Sequence, residues 1–138
     1  MEMDFAFLAD SAEVTNGKLY VISGAIDTIW ATKLPHIRPH LSLVMKLQFS
    51  PAEIGVAHKL EIHLMDEDGK RLAVVRGDLN ITKNSSLPKG WKQGFISVLN
   101  FGNLKFERFG DYSFEVVLNG SSIKSLVLRV VQRVALQT

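Results

Sequence analysis

The stretch Gly110-Asp111-Tyr112-Ser113-Phe114-Glu115-Val116-Val117-Leu118-Asn119-Gly120 constrains the fold more than any other part of the chain. Tyr112, Phe114, Val116 and Leu118 fall on one face of a period-2 strand. Asp111, Ser113, Glu115 and Asn119 fall on the other. Asn119-Gly120 then supplies the two positive-φ positions that a tight hairpin turn needs. A second apolar run, Ile123 to Val131, follows at once. A half-buried antiparallel hairpin of this kind closes a β-sandwich.

The rest of the chain repeats the pattern. Strand-like runs recur every ten to fifteen residues, with turn residues between them and no repeat or linker. That spacing favours a sandwich or barrel over alternating strands and helices. Met3 to Leu8 places Phe5 and Phe7 on one face. Asn16-Gly17 marks a turn into Lys18 to Ile26. Thr28 to Thr32 is a short strand carrying Trp30. Leu34 to Pro39 holds two prolines, which remove ladder donors, so it is expected to be a loop or an edge.

Leu41, Leu43, Met45, Leu47 and Phe49 all point one way, and form the cleanest strand of the chain. Ser50-Pro51-Ala52-Glu53 reads as a capping box with proline at the first helical position. One short helical turn near Pro51 is expected, ended by Gly55. A hairpin turning at Asp68-Gly69 places Glu61 opposite Arg76, Glu67 opposite Lys70, Ile62 opposite Val75 and Leu64 opposite Ala73. One register then satisfies both faces. Asn84 to Gln93 is a polar loop ending near Trp91. Gly94 to Phe101 is a strand, and Gly102 to Phe109 a connection. In the last hairpin Glu115 faces Lys124, and a change of apolar parity beyond Ser125 predicts a bulge. The expectation is one antiparallel sandwich domain of seven to nine strands over residues 1–138.

Composition sets bounds on function. Sixteen basic and fourteen acidic residues leave a net charge of +2, with the basic residues scattered, so no nucleic-acid footprint is formed. The absence of cysteine excludes disulfides and thiolate metal sites. Met1-Glu2-Met3-Asp4 lacks the basic start and apolar run of a secretory signal, and no segment reads as a membrane span. A soluble, cytoplasmic protein without a membrane partner is expected. An apolar fraction of 46% is somewhat high for a small domain. Either the sheets are buried on both faces in places, or a partner or second copy covers apolar surface.

Candidate chemistry is sparse. His58 and His63 are five apart in one strand, point to opposite faces, and cannot share a metal. Glu61 and His63 share a face, but read more simply as a charge pattern with Arg76. His36 and His40 flank a proline loop that could bring them together. Asp66-Glu67-Asp68-Gly69 resembles one corner of a calcium loop, without the second acidic loop that calcium needs. No nucleophile elbow and no glycine-rich phosphate loop is present. Trp30 and Trp91 lie near strand ends beside polar residues, Lys92 among them. The plain reading is that each plugs an end of the core. The functional reading is an exposed ring that stacks on a ligand or anchors a partner, for which Trp91 is the better candidate.

Asp4-Phe5-Ala6-Phe7-Leu8-Ala9-Asp10, Gly17-Lys18-Leu19-Tyr20-Val21-Ile22-Ser23-Gly24 with its continuation to Ile29, and Gly110-Asp111-Tyr112-Ser113-Phe114 together resemble a family of small bacterial proteins of unknown function. The resemblance covers nearly the full length. It implies an immunoglobulin-like β-sandwich and no established reaction, cofactor or catalytic residue. The expectation is therefore a non-enzymatic protein-binding or assembly module without a cofactor or metal. It would act through sheet edges and loops, on a protein partner or a second copy. The alternative is a small-molecule or carbohydrate-binding sandwich that uses Trp30, Trp91 and Lys92.

Overall fold

The structure, a computed structural model, describes residues 1–134. It is all-β. Among the described residues nine strands run in the order β1 (Glu2–Thr15), β2 (Lys18–Gly24), β3 (Thr28–Ala31), β4 (His36–Phe49), β5 (Ala57–Asp66), β6 (Arg71–Asn80), β7 (Gln93–Phe106), β8 (Gly110–Leu118) and β9 (Ser121–Gln132). A 3-10 turn over Pro51–Glu53 follows β4 where the capping box placed it. Glu53 Oε1 accepts from the Ser50 backbone N–H and from the Ser50 hydroxyl. The single-domain expectation over 1–138 includes residues 135–138, which lie outside the described residues.

The strands form two sheets. One has the order β2-β1-β4-β7, the other β3-β9-β8-β5-β6. The alternating residues of β4 drive the layering. Leu41, Leu43, Met45, Leu47 and Phe49 are all fully buried, and they meet Leu60, Ile62, Leu64, Phe114, Val116 and Leu128 of the facing sheet in one core. Phe101 packs edge-on against Phe114 with ring centroids 5.3 Å apart. These rings bring the largest area per residue to that core.

The four-stranded sheet is apolar on its outer side as well. Phe7, Val44 and Val98 lie side by side across three strands, and Val44 is fully buried there. Part of the apolar surplus therefore lies on the outer side of this sheet, where Val44 is buried between its neighbours.

Several expectations are corrected. The sheets are not wholly antiparallel: β3 runs parallel to β9, with Thr28 opposite Arg129 and Ala31 opposite Gln132. Of the two expectations for the proline segment, a loop or an edge, the edge holds: from His36 on it is strand, part of β4, pairing His36 with Phe106 and Arg38 with Leu104 on one side. Pro39 is tolerated because β1 pairs β4 only as far as Ala9 opposite Ser42, then continues along β2. Beyond that point β4 has a free side, so the missing donor leaves no ladder bond unmade. Likewise the connection after Phe101 is strand through Phe106.

The β5–β6 and β8–β9 hairpin registers both shift near their turns. Glu61 faces Arg76, Ile62 faces Val75 and Leu64 faces Ala73 as expected, but Met65 then faces Arg71. Asp66 Oδ1 accepts from the N–H groups of Asp68 and Lys70, which stabilises a longer turn with Gly69 at φ +79°. Glu67 is thereby turned away from Lys70, and its Oε1 accepts from the Asp111 N–H. In the last hairpin Asn119 and Gly120 take positive φ as required, but the bulge falls at Ile123 rather than beyond Ser125. Glu115 therefore faces Ser125, whose hydroxyl donates to it at 2.8 Å, and Lys124 faces Val116.

Candidate functional site

Trp30 and Trp91 are 60% and 62% exposed, so neither plugs the core. They are not brought together. Trp30 sits on β3 opposite Val131, beside Asp10 and Arg38 at the start of β4. Trp91 sits beyond the other end of β4, near Pro51. At about 3.3 Å per residue, the fourteen residues of β4 separate the two ends by roughly 45 Å. A single ligand site built from both rings is excluded by that distance.

Trp91 lines a cleft of about 570 Å³ between the 3-10 turn and the loop from Lys83 to Lys92. Its apolar lining includes Pro51, Ile54, Ile81, Leu87 and Pro88, and its cations are Lys83 and Lys89. The loop is held by its own bonds. The Gln93 side chain accepts from the Asn84 N–H and donates to the Thr82 carbonyl, closing the loop at its base. Asn84 Oδ1 accepts from the Ser86 N–H, the Leu87 N–H donates to Asn84 O, and the Trp91 N–H donates to Pro88 O. The floor is tied across by the Gly55 N–H donating to Ile81 O.

Lys92 does not belong to this cleft. Its ammonium donates to Glu2 Oε1 at 2.8 Å, and that hydrogen bond raises its pKa. The cations of the cleft are Lys83 and Lys89, neither of which the sequence analysis singles out. The available signal was their placement six residues apart around Leu87-Pro88, next to an exposed tryptophan.

The histidines have separate roles. His58 is buried on the core side, its Nε2 2.7 Å from Glu53 O and its ring 5.4 Å from Phe49. His63 lies on the opposite face of β5, with Nε2 3.1 Å from Glu61 Oε2. Glu61 also accepts from Arg76 Nε at 2.9 Å. The His63 contact first, then the Arg76 guanidinium, holds the Glu61 carboxyl below its ordinary value. His36 and His40 stand on one extended strand, opposite Phe106 and Gly102, so no loop folds them together. His40 Nδ1 lies 2.7 Å from Asp10 O, and Arg38 pairs with the Asp10 carboxylate.

The acidic tip of the β5–β6 hairpin is spent on structure. Arg108 bridges Asp66 Oδ2 and Asp68 Oδ2 at 2.8 and 3.1 Å. Burial raises the Asp66 carboxyl, but the Lys70 and Asp68 N–H donors and Arg108 outweigh it and leave it lowered. Among the described residues no group of three or more histidines and carboxylates is placed to hold a metal ion, and no helix is long and apolar enough to cross a membrane.

A second feature lies at a sheet edge. No residue of β2 is buried; Tyr20 is exposed on the strand and Ile22 is 67% exposed. β2 pairs β1 on one side, and among the described residues no strand pairs the other. From Leu19 to Gly24 it carries no charge and no proline. The other three terminal strands of the two sheets are blunted: β6 carries Arg71, Arg76 and Asp78, β7 carries Lys105, and β3 is only four residues long.

The chain matches the family of unknown function DUF6941 over residues 4–131. No curated protein matches it.

Proposed function

The chain belongs to a family of unknown function, DUF6941, and from its own geometry we propose that it is a non-enzymatic protein-binding and assembly module of the bacterial cytoplasm with an immunoglobulin-like fold. The fold reading is supported by strand order. β9-β8-β5 repeats the G-F-C order of such sandwiches, and β1-β4-β7 repeats A-B-E. Tyr112, near the start of β8, donates its hydroxyl to Arg108 O at 2.6 Å, which is the bond of a tyrosine corner.

The observation that carries the binding reading is the bare β2 edge. An edge strand uncharged from Leu19 to Gly24, with free backbone donors and acceptors, is a template for another strand. Pairing it would satisfy those groups and cover Tyr20, Val21 and Ile22 together. The economical partner is a second copy in a two-fold pair, since one surface then serves both sides.

The test is native mass spectrometry with light scattering, on the wild-type chain and on a Tyr20→Lys/Ile22→Lys variant. Both positions are exposed, so the variant keeps its thermal stability within about 0.5 kcal/mol. The expected result is a dimer, or a co-purifying partner bound in stoichiometric amount, that the two lysines abolish. A wild-type chain that stays monomeric at high concentration, with a partner profile unchanged by the two lysines, refutes the edge reading.

The Trp91 cleft favours a second reading, in which the sandwich binds a small ligand. A concave, largely apolar site of this volume with a few polar groups at its rim is the usual form of such a site. Only Trp91 supports it; Trp30 and Lys92 stand elsewhere.

A further inference from the structure

Every charged side chain lining the Trp91 cleft is a cation. Lys83 and Lys89 line it, no aspartate or glutamate does, and neither lysine forms an ion pair among the described residues. Of the acids near this end of the molecule, two are already engaged. Glu2 is paired with Lys92. Glu53, on the 3-10 turn between the lining residues Pro51 and Ile54, accepts from the Met1 amine at 2.8 Å and from Ser50. The apolar part of the same lining is Ile54, Ile81, Leu87 and Pro88, together with the exposed Trp91. The loop that carries Lys83, Leu87, Pro88, Lys89 and Trp91 is fixed by the Gln93 clamp and by its own turns, so the site is formed before any ligand arrives.

Resting on the second reading above, we propose that this cleft is a binding site for a small amphipathic carboxylate, with its apolar body on the Ile54–Ile81–Leu87 lining against Trp91 and its carboxylate held by Lys83 and Lys89. The apolar lining gives affinity through burial. The two cations give sign selectivity, because charge-assisted bonds to a carboxylate are roughly twice as strong as neutral ones. A neutral sugar would use the ring but leave the two lysines unanswered.

The probes are octanoate and octanamide, which share an apolar chain and differ in charge. The readout is the Trp91 indole N–H signal in ¹H–¹⁵N spectra of the full chain at low salt. The Trp30 indole, at the far end of β4, serves as an internal reference, and the two signals are assigned with Trp91→Phe. The expected result is saturable movement of the Trp91 signal alone. Octanoate should bind about tenfold tighter than octanamide, a difference of about 1.4 kcal/mol. That preference should be lost in Lys83→Ala/Lys89→Ala and reduced at 1 M salt, where the screening length is about 3 Å. Equal affinity for both probes overturns the carboxylate assignment and leaves the small-ligand reading standing. Immobility of the Trp91 signal with both probes at millimolar concentration overturns the two together.

Discussion

Tyr112→Phe isolates one bond. The Tyr112 hydroxyl donates to Arg108 O at 2.6 Å, and the ring is 5% exposed. Phenylalanine keeps the ring and its edge-on contact with Phe106, at a centroid distance of 4.9 Å. The variant therefore loses a hydrogen bond, leaves a carbonyl at the corner short of a donor, and opens no large cavity. A partly buried bond of this kind is worth about 1 kcal/mol net, and the loss of a donor at the Arg108 carbonyl adds to it, so about 1.5 kcal/mol is expected. At about 2.1 cal/mol/K per residue, a chain of 138 residues unfolds with an entropy near 0.29 kcal/mol/K. The melting temperature should then fall by about 5 °C, measured by calorimetry or circular dichroism. The control is Tyr20→Phe, since Tyr20 is exposed on β2, and it should leave the melting temperature in place. A Tyr112→Phe variant within about 1 °C of wild type would refute the reasoning that the corner bond anchors the start of β8.

Phe114→Ala removes a fully buried ring that packs on Phe101, and should cost about 3–5 kcal/mol in chemical denaturation with little change in the m-value. Gly110→Ala should cost about 2 kcal/mol or more by the same measure. Gly110 has φ +137°, and an added Cβ would strike Glu67 Oε1, displacing it from the Asp111 N–H. The Glu53 carboxyl is lowered from 4.5 to about 2, first by the Met1 amine and then by the Ser50 N–H. Because its folded pKa is depressed, its stabilising effect is present above pH 4.5 and lost as pH falls toward 2. The melting-temperature gap between wild type and Glu53→Gln should be widest above about pH 5 and close near pH 2; a gap that does not vary with pH would remove the charge from the explanation.

Local pattern was enough wherever one face is buried. The parity of Leu41 to Phe49 and the Glu61–Arg76 and Ile62–Val75 pairs fix strand and register, because a slip of one residue would turn every apolar side chain to water. The Ser50–Glu53 cap was legible for a similar reason, as it is settled within four residues. What was not legible depends on partners distant in sequence. Pro39 reads as a breaker until β1 is known to leave β4 at Ala9. The direction of β3 is set by β9, and nothing in Thr28-Ile29-Trp30-Ala31 reveals it. The turn at Asp66 was missed because its side chain outbids the two-residue turn by satisfying two backbone donors. The cleft was half visible: Trp91 drew attention, but which lysines surround it depends on how the loop folds over the Pro51 turn.

The parallel pair of β3 and β9 has a consequence for the order of events during synthesis. Residues 28–31 find their partner only at 129–132, so this sheet cannot be completed until β9 has emerged. Until then the β1–β2 hairpin, whose contacts are local, can form and waits with its uncharged edge bare. Closure over so long a stretch of chain places folding in roughly the millisecond-to-second range typical of all-β folds with non-local pairing. The nascent protein is therefore most prone to wrong strand pairing at β2 in the interval before its last strand arrives.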